Sequence, residues 1–192
     1  MNKRVIAFVG MPGSGKGTCT DYLAEKYKWP IVHFGNMYYE EMQKRNLDNV
    51  KDENWFRAKL REEQGKEVLA KLAAKHADEL FADKILVVIF DGLYTWSEYR
   101  YLRGRFGDSL DIVAVAAPRQ ERYKRILSRK DQHRKYTSAE QIQAREITEI
   151  EEIEKGGPIA MADYTLVNDT AQEELLQKLD ELLKKIGFSL PR

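Results

Sequence analysis

Nine residues near the start of the chain carry the clearest chemistry: Gly10-Met11-Pro12-Gly13-Ser14-Gly15-Lys16-Gly17-Thr18. Glycine at positions 10, 13, 15 and 17 lets the backbone curl. Successive N–H groups can then point inward at one anion. Lys16 adds a compact positive charge on a flexible stem. The spacing is the G-x-x-x-x-G-K core of a phosphate-binding (Walker A) loop. A Ser or Thr usually follows the lysine. Here Gly17 takes that place and Thr18 comes next. An ordinary glycine turn would not account for a lysine closing four glycines in eight residues.

Such a loop needs a buried strand before it and a helix after it, so that the helix adds its positive dipole end. Both are legible. Val5-Ile6-Ala7-Phe8-Val9 is a continuous apolar run that stops at Gly10, and Tyr22, Leu23 and Tyr27 mark a helix beyond Lys16. Further apolar runs at Ile85–Phe90, Ile112–Ala117 and Tyr164–Val167, with a weaker one at Ile31–Phe34, predict a parallel sheet buried on both faces. Helical patterns separate them. One runs from Trp55 to Leu80 with Val68, Leu69, Leu72 and His76 in register. Others are Tyr123, Ile126 and Leu127; Ile147, Ile150 and Ile153; and Leu175, Leu176, Leu179, Leu182, Leu183 and Ile186. Thr170 and Glu173 suit a capping box before the last helix, and Gly187 suits its stop. The alternation predicts an α/β, three-layer P-loop NTPase fold with a short parallel sheet, one domain over residues 1–192. Two stretches read as insertions: a helical one at 36–83 and a charge-dense one at 130–158.

The variant G-x-P-G-S-G-K-G-T resembles the loop of adenylate kinases and related nucleoside monophosphate kinases. Ile85–Phe90 closed by Asp91-Gly92 is similar to their second phosphate-side strand. Arg122, Arg125, Arg129 and Arg145 resemble the arginines around their lid. Ala162-Asp163-Tyr164-Thr165-Leu166-Val167-Asn168 resembles the A-D-x-x-I-x-N finish of dephospho-CoA kinases. Taken together, these segments are most similar to an archaeal group of dephospho-CoA-kinase-like P-loop proteins. The resemblance implies ATP and Mg2+ as cofactors, residues 36–83 as the acceptor-binding insertion and residues 130–158 as the lid. It places ATP on Gly10, Gly13, Ser14, Gly15, Lys16, Gly17 and Thr18. It makes Lys16, Arg125, Arg129 and Arg145 catalytic. Gly35, Tyr39, Gly92 and Tyr94 fall on the acceptor side. Two departures bear on the acceptor. Asn36 and Tyr39 stand where adenylate kinases carry Asp and Arg, and Leu93-Tyr94-Thr95 lacks the arginine that follows Asp-Gly-x-Pro.

Asp91, at a buried strand end, is expected to hold Mg2+ through water, because this ion keeps much of its hydration shell. Arg122, Arg125 and Arg129 share one helix face by their spacing and are expected to close on phosphates. The acidic residues after Arg145 suggest exposed ion pairs that let a lid open readily. Gly156-Gly157-Pro158 reads as a helix terminator. Tyr38, Tyr39, Tyr94 and Trp96 suit either the core or a base-stacking wall. His33, His76 and His133 have no ligand-like spacing and read as structural or surface residues. Cys19 reads as a buried core thiol.

Composition narrows the class. Lys and Arg number 32 against 31 Asp and Glu, and 43% of residues are hydrophobic. That balance speaks against disorder and against a dedicated nucleic-acid binder. One cysteine excludes an internal disulfide framework. No apolar run approaches a membrane span, and Val5–Val9 is too short for a signal core. The expectation is a cytoplasmic kinase acting on a small nucleotide-like molecule, a nucleoside monophosphate or dephospho-CoA, with no membrane and no identified protein partner. A second reading is a nucleotide-binding switch or slow NTPase acting through a protein partner.

Overall fold

The computed structural model describes residues 3–47, 53–129 and 136–188. Five strands form one parallel sheet. They are β1 (Arg4–Val9), β2 (Ile31–His33), β3 (Val87–Asp91), β4 (Leu110–Ala116) and β5 (Tyr164–Val167), in the order β2-β3-β1-β4-β5. The strands are apolar on both faces because both faces are covered. Along β1, Val5, Ala7 and Val9 face one core, and Ile6 and Phe8 face the other. The first core is closed by α2 (Phe34–Lys44), α3 (Glu53–Gln64), α4 (Val68–Ala82) and α5 (Trp96–Phe106). The second is closed by α1 (Lys16–Tyr27) and α9 (Gln172–Lys185), whose Leu175, Leu179 and Leu183 are buried. This is the expected α/β three-layer arrangement.

Several local expectations change. The helical stretch from Trp55 to Leu80 is two helices, α3 and α4, parted at Gly65, whose φ is +93°. On α4, Val68 and Leu69 are buried as expected, with Ala70, Ala73, Ala74, Ala77 and Phe81 completing the inward face, and His76 is exposed. The strand read from Ile85 begins at Val87. Thr170 and Glu173 make no capping box. Ala171 caps α9 without a side-chain bond. The box lies instead at Thr95-Trp96-Ser97-Glu98, where the Glu98 amide donates to Thr95 Oγ1 (3.0 Å) and the Thr95 amide donates to Glu98 Oε2 (2.9 Å). That T-x-x-E signal is legible in the sequence. Gly187 does end α9, with φ +75°.

The charge-dense region contributes α6 (Arg119–Ser128), α7 (Ala139–Glu151) and the short α8 (Gly156–Ala160). Gly156-Gly157-Pro158 is therefore inside a helix, and α7 instead ends before Glu154, a non-glycine at φ +58°. The Ile147–Ile150 stripe does not face the core. Both side chains are exposed, and α7 buries Ile142, Glu146 and Glu149. The reason is that the neighbouring helix presents cations. Arg122 on α6 donates to Glu146, and Tyr123 donates to Glu146 Oε2 at 2.9 Å. The ion pairs expected to be exposed are thus partly buried. Residues 130–135, including His133, lie outside the described residues. No helix among the described residues is long and apolar enough to cross a membrane.

Candidate active site

The loop sits at the carboxyl end of β1, with the end of β3 beside it. The connection after β1, through α1, covers one face of the sheet and that after β3, through α5, covers the other, so a crevice opens at these adjacent strand ends, as in a doubly wound fold. Three loop glycines are held by backbone geometry. Gly10, Gly13 and Gly15 have φ of +146°, +76° and +103°. A Cβ at Gly10 would lie 2.4 Å from the Val115 carbonyl oxygen, and one at Gly15 would lie 2.3 Å from Asn168 Nδ2. Gly17 differs: nothing lies within 4 Å of an added Cβ.

Asn168, at the end of β5, is buried and donates from Nδ2 to the Ser14 carbonyl at 2.7 Å. Asp163 accepts from the Ile112 amide (2.8 Å) and from Arg103 Nη2 (2.6 Å), tying the entrance of β5 to β4. The A-D-x-x-x-x-N stretch is thereby explained: its ends anchor the last strand to the sheet and to the loop. Arg125 belongs to the same scaffold. It was expected among the phosphates, but its guanidinium donates to Asn168 O at 3.2 Å and to Gly13 O at 3.5 Å. It is not among the residues lining the cavity. Arg122 likewise turns inward, to Pro12 O (3.2 Å) and Glu146.

A cavity of about 260 Å3 opens over the loop. Pro12 through Gly17 form its floor, and Asp91, Tyr94, Ile126, Arg129, Tyr136 and Arg145 complete it. Lys16 Nζ donates to the carbonyls of Gly10 (2.7 Å) and Met11 (3.2 Å). Desolvation and the positive charge of Lys155 lower its pKa to about 7, against the attraction of Asp91 and Glu149. Ser14 Oγ is buried and has no hydrogen-bond partner among the described residues. An orphaned hydroxyl, a cradle of glycines and a desolvated lysine together suit a polyphosphate chain.

On the opposite wall, Arg145 Nε donates to Glu149 Oε1 at 2.8 Å and Nη1 donates to the Tyr136 hydroxyl. Lys155 Nζ donates to Glu149 Oε2 at 2.6 Å. Burial alone would raise the Glu149 carboxyl, but Lys155 and Arg145 more than offset it and hold it below the usual carboxylate range. Lys155 carries no motif of its own. A lone lysine after an acidic run gives no signal until the chain brings it back to the loop.

Asp91 ends β3 in register with His33, which ends β2. His33 Nδ1 lies 3.1 Å from Asp91 Oδ2. That hydrogen bond raises the His33 pKa, with burial opposing it. His33 is thus a half-exposed residue tied to Asp91. Among the described residues no group of three metal-ligating side chains occurs. One carboxylate facing a phosphate cavity fits Mg2+ held mainly by phosphate oxygens and water.

Of the acceptor-side residues, Tyr94 lines the cavity, and burial pushes its phenol pKa up. Gly92 has φ +108° and is buried beside Phe34 and Tyr94. Gly35 and Tyr39 lie on α2, with Tyr39 packed against the first core, and neither lines the cavity. Thr18 is on α1, also outside the lining. Cys19 is fully buried, and burial pushes its thiol up to about 12. Another hollow of about 240 Å3, between α2 and α4, contains none of the loop residues.

Fold and site together define a P-loop domain of the kinase-like kind. A family described as an AAA domain matches residues 9–143. The fold is shared with the shikimate kinase of Bacteroides thetaiotaomicron (TM-score 0.59, 18% identity, 94% of this chain and 98% of that one). It is also shared with a gluconokinase of Sinorhizobium meliloti (TM-score 0.55, 14% identity, 95% of each). The sequence relatives are more specific. A UPF0200 protein of Thermococcus onnurineus (strain NA1) is 37% identical over 185 residues, covering 95% of this chain and 97% of its own. One of Methanocaldococcus jannaschii is 32% identical over 191 residues, covering 98% and 93%. The chain belongs to the UPF0200 family.

Proposed function

We propose that the protein is an ATP-dependent small-molecule kinase that moves the terminal phosphate of Mg-ATP to a nucleotide-like acceptor, a nucleoside monophosphate or dephospho-CoA. One observation carries this reading: Gly13, Gly15, Gly17, Lys16, Asp91, Arg129 and Arg145 all border a single cavity. Phosphoryl transfer asks mainly for positioning and charge neutralisation, and that is what these residues supply. Backbone N–H groups of Gly13 to Gly17 hold the donor phosphates. Lys16 gives up its carbonyl contacts and bridges the β- and γ-phosphates. Arg129 and Arg145 neutralise charge on the transferred group. Asp91 would hold Mg2+ through water, and the bound ion supplies charge neutralisation between donor phosphates. The bond from phosphorus to the β–γ bridging oxygen breaks as one to the acceptor oxygen forms, and any acceptor proton leaves to solvent. Tyr94 would form part of the acceptor wall.

A second reading, a nucleotide-binding switch or slow NTPase acting through a protein partner, has its own support. Tyr39 and Thr95 stand where adenylate kinases carry the two arginines that would grip an acceptor phosphate, and Ile147 and Ile150 lie exposed on the helix that carries Arg145. ATP consumption separates the two. A kinase consumes ATP slowly alone and fast with one member of a panel of nucleoside monophosphates, deoxynucleoside monophosphates and dephospho-CoA. A switch shows no acceptor dependence.

A further inference from the structure

Glu149 is an acidic group set into a wall whose other charged members are cations. Its two oxygens are each taken by a different cation, Arg145 at 2.8 Å and Lys155 at 2.6 Å. Two oxygens of one phosphoryl group would present the same kind of double acceptor. Arg145 already borders the phosphate cavity. Lys155 is 4% exposed and sits 4.7 Å from the centre of the Tyr94 ring, another cavity residue. Tyr94 is itself fixed, its amide donating to the buried Glu98 carboxylate at 2.9 Å. The positive charge of Lys155 also helps lower the Lys16 pKa. Lys155 does not itself line the cavity, but it stands directly behind two residues that do, Tyr94 and, through Glu149, Arg145.

Taken as scaffold alone, this arrangement is costly. A buried lysine forfeits hydration, and an apolar side chain would pack on Tyr94 without that loss. The cost is understandable if Glu149 is a stand-in for an anion that arrives later.

We propose that Lys155 is a further cation for the transferred phosphoryl group, held ready with Arg145 by Glu149, and that it changes partner from Glu149 to that group as transfer proceeds. The inference rests on the donor site proposed above and adds to it a contact from the far side of the cavity. It also supplies a positive charge beside Tyr94, where the acceptor arginines of adenylate kinases have no counterpart.

The test uses Mg-ADP, with and without fluoroaluminate, a planar mimic of the phosphoryl group in flight. Affinity is read by calorimetry on the full chain. Transition-state mimics bind about a hundredfold or more tighter than ground-state ligands. In Lys155→Met, affinity for Mg-ADP alone should stay within about twofold, while the gain from fluoroaluminate falls by about tenfold or more, as when one oxyanion donor is lost. The double variant Glu149→Gln/Lys155→Met removes the orphaned carboxylate and guards against misfolding. It should show the same loss. A full gain from fluoroaluminate in either Lys155 variant overturns the proposal and leaves Lys155 a structural tie. So does a wild-type protein that binds Mg-ADP but gains nothing from fluoroaluminate. Failure of the wild type to bind Mg-ADP at all overturns the donor-site reading, and this inference with it.

Discussion

His33 Nδ1 lies 3.1 Å from Asp91 Oδ2 because β2 and β3 end in register, and that contact orients the carboxylate beside the loop. In the sequence the two residues are 58 positions apart, with the whole helical insertion between them. If Asp91 holds Mg2+ through water, His33 is the group that keeps it aimed. His33→Ala should raise the Mg2+ concentration for half-maximal ATP turnover by up to about tenfold, the lower end of the effect of removing an outer-shell partner. Titration of turnover with MgCl2 at saturating ATP measures it. An unchanged midpoint means that His33 does not aim Asp91 at the metal.

Lys16 has lost hydration and faces Lys155, so its pKa lies at about 7. Between pH 7 and the ordinary lysine range the unfolded chain holds a proton that the folded chain lacks. By linkage this group alone makes stability rise with pH across that window. An arriving phosphate reverses the balance by favouring the ammonium. Nucleotide binding at pH 8 should therefore take up a proton, detected as a dependence of calorimetric heat on buffer ionisation enthalpy. Lys16→Ala should abolish the uptake, lower turnover by about a hundredfold or more and leave the melting temperature close to its original value.

Glycines of the loop divide by geometry. Gly15→Ala forces a Cβ into Asn168 Nδ2 at φ +103°, and should cost about 2 kcal/mol or more through strain and the lost Asn168 bond. Gly17→Ala meets open space in the first turn of α1 and should be neutral or stabilising by up to about 1 kcal/mol. Urea denaturation of the two variants checks the contrast.

Arg122 is nine-tenths buried, as is Glu146, its partner across α6 and α7. Arg122→Leu strands that carboxylate and should destabilise the protein by about 3–5 kcal/mol, the range for breaking one side of a buried pair. Glu146→Gln added to Arg122→Leu should recover part of the loss. Full additivity in the double variant would mean the two side chains are uncoupled.

The parallel sheet and its loop were legible because buried parallel strands read as unbroken apolar runs and the glycine–lysine spacing has few other uses. Helix faces were less so. The Ile147–Ile150 spacing suggests a core face, but Arg122 of α6 selects Glu146 and Lys155, with Arg145, selects Glu149 instead. Arg125 and Arg129 looked equivalent by spacing. Asn168 captures Arg125 for the scaffold, and Arg129, past the end of α6, reaches the cavity. His33 and Lys155 gave no local signal, since their meaning comes from partners distant along the chain.

Transfer of label from ATP carrying 32P at the γ-position tests the central claim most directly. Incubation with Mg2+ and the acceptor panel should place the label on one organic acceptor, with little free phosphate and no transfer by Lys16→Ala. Label appearing only as inorganic phosphate, at a rate no acceptor changes, would contradict the kinase reading and leave a nucleotide-hydrolysing switch in its place.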